Sequence, residues 1–253
     1  IGSGVAGIVG PSNTLSGYSY TPDGTAATGI LIYANDAAVF HNGVVDSEVG
    51  IYLFQGGGDI YGNTVTAGDG AAEPWGIVAT VGAITRSAGG VFSTPSIDYG
   101  AQVLAPTAGL TITIAANSLI GDGANVDSTG IETDIGSDAG DVALLIEDNE
   151  TTGWGEGVVL YRAAAASAVE ASSFVLRGNS IEGNLAYVVS AVGFITSSVD
   201  AQQNWWGHNT GPCDESASDD FFNPDGQGDA VSDGVNYLRW LRRTHLPLMF
   251  SDG

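Results

Sequence analysis

Lysine is absent from all 253 residues, and six arginines face 29 aspartates and glutamates. The resulting net charge of −23 leaves no basic face, so neither nucleic acid nor an anionic membrane is expected as a partner. A single cysteine, Cys213, excludes an internal disulfide framework; it is either a small buried hydrophobe or an intermolecular link. No apolar run reaches the roughly 18 residues of a membrane-spanning helix, so no membrane span is expected. Charged residues make up only 14% of the chain, and 38 glycines interrupt it. Long helices therefore lack their usual surface. The chain opens at Ile1 without an initiator Met, a basic n-region or an apolar h-region, and it reads as a mature or trimmed product. Acidity without lysine suits an extracellular, secreted or cell-surface life, or a salty medium.

What the chain does have is a repeat. An aliphatic residue, two others and then an Asn recur as Ile32/Asn35, Ile60/Asn63, Ile114/Asn117, Ile146/Asn149 and Leu176/Asn179. A degenerate copy places Ser87 after Ile84, and a last one is Ala201/Asn204 with Val199 as its aliphatic residue. The spacings run from 24 to 32 residues. A weaker earlier turn is expected around Ile8. A second strand signal, opened by glycine, lies between these frames at Gly50-Ile51-Tyr52-Leu53, Gly76-Ile77-Val78, Gly130-Ile131 and Gly157-Val158-Val159-Leu160.

Each repeat thus carries two or three short strands that cannot bury their own faces but can stack on their neighbours. The expected fold is all-β, a parallel β-helix of about seven to eight coils over 1–204, with a capping segment over 205–253 of the same domain. Equivalent aliphatic residues should stack as a ladder, with Ile114 between Ile84 and Ile146. The Asn column (Asn35, Asn63, Asn117, Asn149, Asn179, Asn204) should hydrogen-bond from coil to coil and occupy left-handed turn positions. Loops of varying length, such as the Ala-rich Ala163–Ala171, should leave at one corner. An antiparallel sandwich would not repeat one frame seven times.

The end of the chain reads Asn204-Trp205-Trp206-Gly207, then Gly211-Pro212, then Asn223-Pro224-Asp225-Gly226-Gln227-Gly228-Asp229-Ala230-Val231, then Val235-Asn236-Tyr237-Leu238-Arg239-Trp240-Leu241. This succession resembles the terminal segment of secreted right-handed parallel β-helix proteins of the pectate-lyase-like superfamily. Arg239 departs from that pattern, where a Pro commonly precedes the Trp. The resemblance implies fold and export rather than activity, since such proteins range from polysaccharide lyases and hydrolases to adhesins. Trp205, Trp206, Tyr237 and Trp240 are expected to cover the open end of the solenoid, where bare strand edges invite aggregation. A sugar-stacking role for one of the paired Trp is the alternative.

No catalytic residue is assigned. Asp219-Asp220 is the one adjacent acidic pair considered, and it lies away from the middle coils. The Gly-His-Gly and Arg-x-Lys elements of the hydrolases are missing, and His41, His208 and His245 are scattered. Asp219, Asp220, Asp225 and Asp229 form a candidate Ca site, with a solvated acidic loop as the plainer reading. No other cofactor is expected. Asn149-Glu150-Thr151 matches a glycosylation sequon but sits within the coil frame. The function expected is structural or adhesive, as a secreted or surface-displayed protein or a filament subunit. It would associate head-to-tail through residues 1–10 and the 205–250 region, with Arg239, Arg242 and Arg243 meeting an acidic neighbour, or would bind a surface polysaccharide. A carbohydrate-active enzyme and a carbohydrate-binding module are the rivals.

Overall fold

The computed structural model describes residues 7–17, 28–33, 36–68, 74–82, 109–136, 139, 141–162, 173–192 and 199–243. Among them every regular element is a strand, and the strands form three parallel sheets. The first sheet stacks β1 (Gly7–Val9), β4 (Ala37–Phe40), β7 (Gly58–Tyr61), β10 (Leu110–Ala115), β13 (Val142–Glu147), β16 (Ser173–Arg177), β19 (Val199–Asp200) and β22 (Val235–Asn236). The second stacks β2 (Thr14–Ser16), β5 (Gly43–Ser47), β8 (Thr64–Ala67), β11 (Ser118–Ile120), β14 (Glu150–Thr152) and β17 (Ser180–Ile181). The third runs β3 (Thr28–Ile32), β6 (Val49–Phe54), β9 (Trp75–Val81), β12 (Thr129–Ile135), β15 (Glu156–Arg162), β18 (Tyr187–Val192), β21 (Gly228–Val231) and β20 (Pro212–Cys213). From β1 to β18 the chain visits the three sheets in turn and pairs each strand with its equivalent one coil on. That is a parallel β-helix. Its eight first-sheet strands agree with the coil number the repeat implies.

The ladder through the core is aliphatic and in register. Val39, Ile60, Ile114 and Ile146 pair in succession, followed by Leu176, and all five are fully buried. Ile114 therefore sits between Ile60 and Ile146. Ile84 and Ser87 lie outside the described residues, and no coil of theirs intervenes, because β7 pairs directly with β10. The first coil is present around Ile8, as β1 pairs with β4.

The asparagine column follows the same correction. Its members are Asn13, Asn42, Asn63, Asn117, Asn149, Asn179 and Asn204. The position before Asn63 belongs to Asn42; Asn35 lies outside the described residues, and the Ile32 expected to frame it pairs with Leu53 in the third sheet. From Asn42 onward each link is the same, while Asn13 is joined to Asn42 through its Nδ2 at 2.8 Å. The backbone N–H and the Nδ2 of Asn63 both donate to Oδ1 of Asn117, at 2.9 and 3.0 Å, while Nδ2 also reaches the Val39 carbonyl at 3.0 Å. A carboxamide can do this because it both donates and accepts; a serine hydroxyl has only one proton to give.

The left-handed turn position is not the Asn but the residue before it. Ser12, His41, Gly62, Ala116, Asp148, Gly178 and Gln203 all have φ between 52° and 71°. That residue turns the chain, which leaves the Asn side chain free to point inward. This corner is short and uniform, with two residues between strands from the second coil to the sixth. Length variation is confined to the other two corners rather than one, as residues 55–57 and 82–109 between third- and first-sheet strands illustrate. The Ala-rich segment of the sequence lies outside the described residues.

Glycine opens the third-sheet strands for a steric reason. Gly29, Gly50, Gly76, Gly130 and Gly157 form a column in which a Cβ would lie 2.4 to 2.9 Å from the backbone carbonyl oxygen of the next coil. A Cβ on Gly130 would also meet Trp154 and Thr151 of the interior, yet the following Ile131 is a core residue too. Two successive residues thus face inward, and the alternation of the rest of each strand is reset. Glu132 and Asp134 are placed outward by that reset.

Candidate functional site

The outer face of the third sheet is itself buried. Val49, Tyr52, Trp75 and Val78 form a second apolar cluster there, flanked by Leu31 and Phe54. Toward the middle coils the same face turns acidic. In register, Glu132 follows Val78, Asp134 follows Thr80, and Glu156 follows Thr129 and Trp75. Glu132 and Asp134 are wholly buried, and Glu156 is 4% exposed. Trp75 Nε1 donates to Glu132 Oε2 at 2.7 Å, which gives that buried carboxyl oxygen a partner. Glu156 has no such support, and its Oε2 is buried without a hydrogen-bond partner. Burial, and then the charge of Glu132, push its carboxyl up to about 7. The pair is chemically unequal: Glu132 accepts an indole N–H, whereas the Glu156 carboxyl holds a proton near neutrality. Arg162 ends β15 in register with Ile135 and is likewise buried.

A search for adjacent acids misses this pair. The available signal is the run Thr129-Gly130-Ile131-Glu132-Thr133-Asp134-Ile135, whose two acids are spaced to share one face of a strand. The expected outcome of Glu156→Gln follows from the sign of the shift. A carboxyl raised from 4.5 to about 7 keeps its proton in the fold while the unfolded chain has lost it, so stability falls as pH rises through that window. The loss levels off above it at about 3 kcal/mol. Urea unfolding should show the variant and the parent nearly equal at pH 4 and the variant more stable at pH 8. An unchanged difference across that range would mean that Glu156 ionises freely.

The chain's last segment is built on the aromatics expected there. Trp205 bridges to Ser180, donates Nε1 to Glu182 Oε2 at 2.8 Å, and lies under the Arg243 guanidinium at 4.5 Å. Trp206 and Tyr237 are buried in the main core. Trp240 is half-buried; it donates Nε1 to the Asn209 carbonyl at 3.0 Å and lies where a Cβ on Gly211 would be. Arg243 also pairs with Glu182 of its own chain at 3.1 Å. Tyr237 Oη donates to Asp214 Oδ2 at 3.0 Å, and burial raises the pKa of both groups. Beside them a cavity of about 610 Å³ is lined by Tyr187, Cys213, Asp214, Glu215 and Asp233, among others. Cys213 is a free, half-buried thiol pushed up by burial and by Glu215 and Asp214.

The four candidate calcium ligands are not brought together. Asp219 accepts from the Phe221 and Gly234 amides at 2.8 and 2.6 Å, and Asp229 accepts from Asn184 N at 3.0 Å. Asp220 and Asp225 are exposed. Among the described residues no group of three or more His, Cys, Asp or Glu could hold a metal ion. The sequon residue Asn149 is 2% exposed and bonded on both sides of the ladder, so its amide is closed to a glycan.

No family model, curated protein or solved structure matches the chain. Function must therefore be argued from the chain's own geometry.

Proposed function

We propose that the protein is a secreted or surface-displayed structural and adhesive β-helix that presents chemistry on rigid rows. The observation that carries this is the buried Asn ladder from Asn42 to Asn204, which ties six successive coils by the same pair of bonds. Such a scaffold fixes outward side chains at the spacing of parallel strands, about 4.8 Å, along an elongated acidic body. The acidic, lysine-free surface supports an extracellular setting, and the resemblance of residues 204–241 to secreted β-helix proteins points the same way. An assembling role is supported at the N-terminal end. There β1, β2 and β3 have a partner on one side only among the described residues, and Ile8 is 67% exposed. Electron microscopy of the purified protein tests the reading: slender rods or filaments are expected, and compact globular particles would overturn it.

The Glu132–Glu156 pair favours a second reading, a carbohydrate-active enzyme on the same fold. Glu156 would donate a proton and Glu132 would act as the base or nucleophile. This reading requires the buried face to open to substrate. Release of reducing or unsaturated ends from acidic and neutral polysaccharides, abolished by Glu156→Gln with the fold intact, would establish it.

A further inference from the structure

We propose that the outer face of the first sheet holds a binding slot for one pyranose ring of a neutral glycan, between Tyr61 and the Glu147–Arg177 ion pair. This rests on the adhesive reading above and names what is adhered to. One outward column of that sheet runs Phe40, Tyr61, Ala115, Glu147, Arg177 through five coils in strict register. The first two members are rings stacked face to face, with centroids 5.2 Å apart and planes 6° from parallel. His41 stands edge-on to both, at 5.8 and 5.6 Å, and braces them from the corner. A third ring would continue the stack, but the next rung is Ala115. The face of Tyr61 turned toward that rung meets no other described ring, and the residue is 37% exposed.

The far wall is polar and prearranged. Arg177 donates Nε and Nη2 to Glu147 Oε2 at 3.0 and 2.8 Å, and side-chain exposures of 55% and 26% leave both reachable. Tyr61 and Glu147 are two strand spacings apart, roughly 9.6 Å. After half a thickness is taken for each wall, the gap above the Ala115 methyl is about one saturated ring thick. Its two walls differ in kind. An aromatic face attracts the C–H face of a sugar, while a guanidinium and a carboxylate offer donors and an acceptor to hydroxyls. Asp59 and Thr113, paired in the adjoining outward column, extend the polar floor. A phosphorylated or sulfated ligand is disfavoured by the net charge of −23.

The test is calorimetric titration of the full chain with hexasaccharides of β-glucose, β-mannose and β-galactose, with N-acetyl-tyrosinamide as an aromatic probe. At least one hexasaccharide should bind. Tyr61→Ala should then weaken it about tenfold, as expected for one lost stacking contact. Ala115→Phe should abolish binding by supplying the missing ring, while its melting curve stays at or above that of the parent. That second variant separates occlusion from unfolding. Binding unchanged in both variants, or confined to the aromatic probe, would overturn the slot. Glycan adhesion that survives Ala115→Phe would overturn it too, yet leave the adhesive reading standing, and rods seen by microscopy are indifferent to either variant.

Discussion

Ile114→Asp should leave no cooperative unfolding transition at neutral pH. Ile114 is fully buried, and its strand neighbours on both sides are Ile60 and Ile146. A carboxylate in that column would have hydrocarbon above and below it and no cation among the ladder residues to pair with. The penalty for an unpaired buried charge exceeds about 5 kcal/mol unless the group takes up a proton. That is comparable with the whole stability of an ordinary domain. Ile114→Val, which removes one methylene, should cost only about 1 kcal/mol. Circular dichroism with urea at pH 7 and again at pH 4 separates the two terms, since protonation at pH 4 should partly restore the Asp variant. A variant with a wild-type midpoint would mean that the column is not the core.

The second large effect is expected at Asn117. Substitution by Leu keeps the volume and removes every polar function. The Asn63 backbone N–H then loses its acceptor and the Asn63 carboxamide one of its own, the Ile60 carbonyl loses a donor, and Asn149 Oδ1 loses one of its two donors, keeping only the backbone N–H of residue 117. Each buried group left unmatched costs roughly 1–3 kcal/mol, so the total should reach about 4 kcal/mol or more. Asn117→Asp is a sharper probe. It retains the acceptor for Asn63 but loses the amide donor to Ile60, and its charge faces Asn149 Oδ1 at the 2.9 Å of the present bond. Denaturant midpoints should fall for both variants, with hydrogen exchange accelerated first at Gly62–Asn63. A midpoint unchanged in Asn117→Leu would show that the ladder is ornamental to stability.

The coils from Ile60 onward are legible in the sequence because their corner demands one residue chemistry. Only a carboxamide can receive two N–H groups from the preceding coil and still give two protons, one to a carbonyl of that coil and one to the amide oxygen of the next. That argument would also have rejected Ser87, whose place in the spacing was right on average but whose hydroxyl cannot fill the role. The direct Asn63-to-Asn117 link shows that one coil simply carries a long excursion. Ile32 misled for a different reason. An inward aliphatic residue near the end of a strand looks alike in the first and third sheets, so Ile32 with Asn35 fits the frame as well as Val39 with Asn42. The acidic pair was harder to see. Glu132 and Glu156 lie on different coils, and their shared face depends on the glycine that breaks strand alternation, which is a steric fact about the next coil's carbonyl and not a local signal.

The ladder also gives the molecule a mechanical character. From Asn42 to Asn204 every coil is tied to the next by the same two short bonds to one amide oxygen, so a force applied along the axis meets a like latch at each of these steps. The length released per step is not equal. Successive Asn residues are separated by 29, 21, 54, 32, 30 and 25 positions. At about 3.4 Å of extended chain per residue, the shortest coil yields roughly 70 Å of slack and the longest roughly 180 Å. A tether of this kind gives way at similar force but in unequal increments, and the release of the coil between Asn63 and Asn117 relaxes the pull on the rest more than any other.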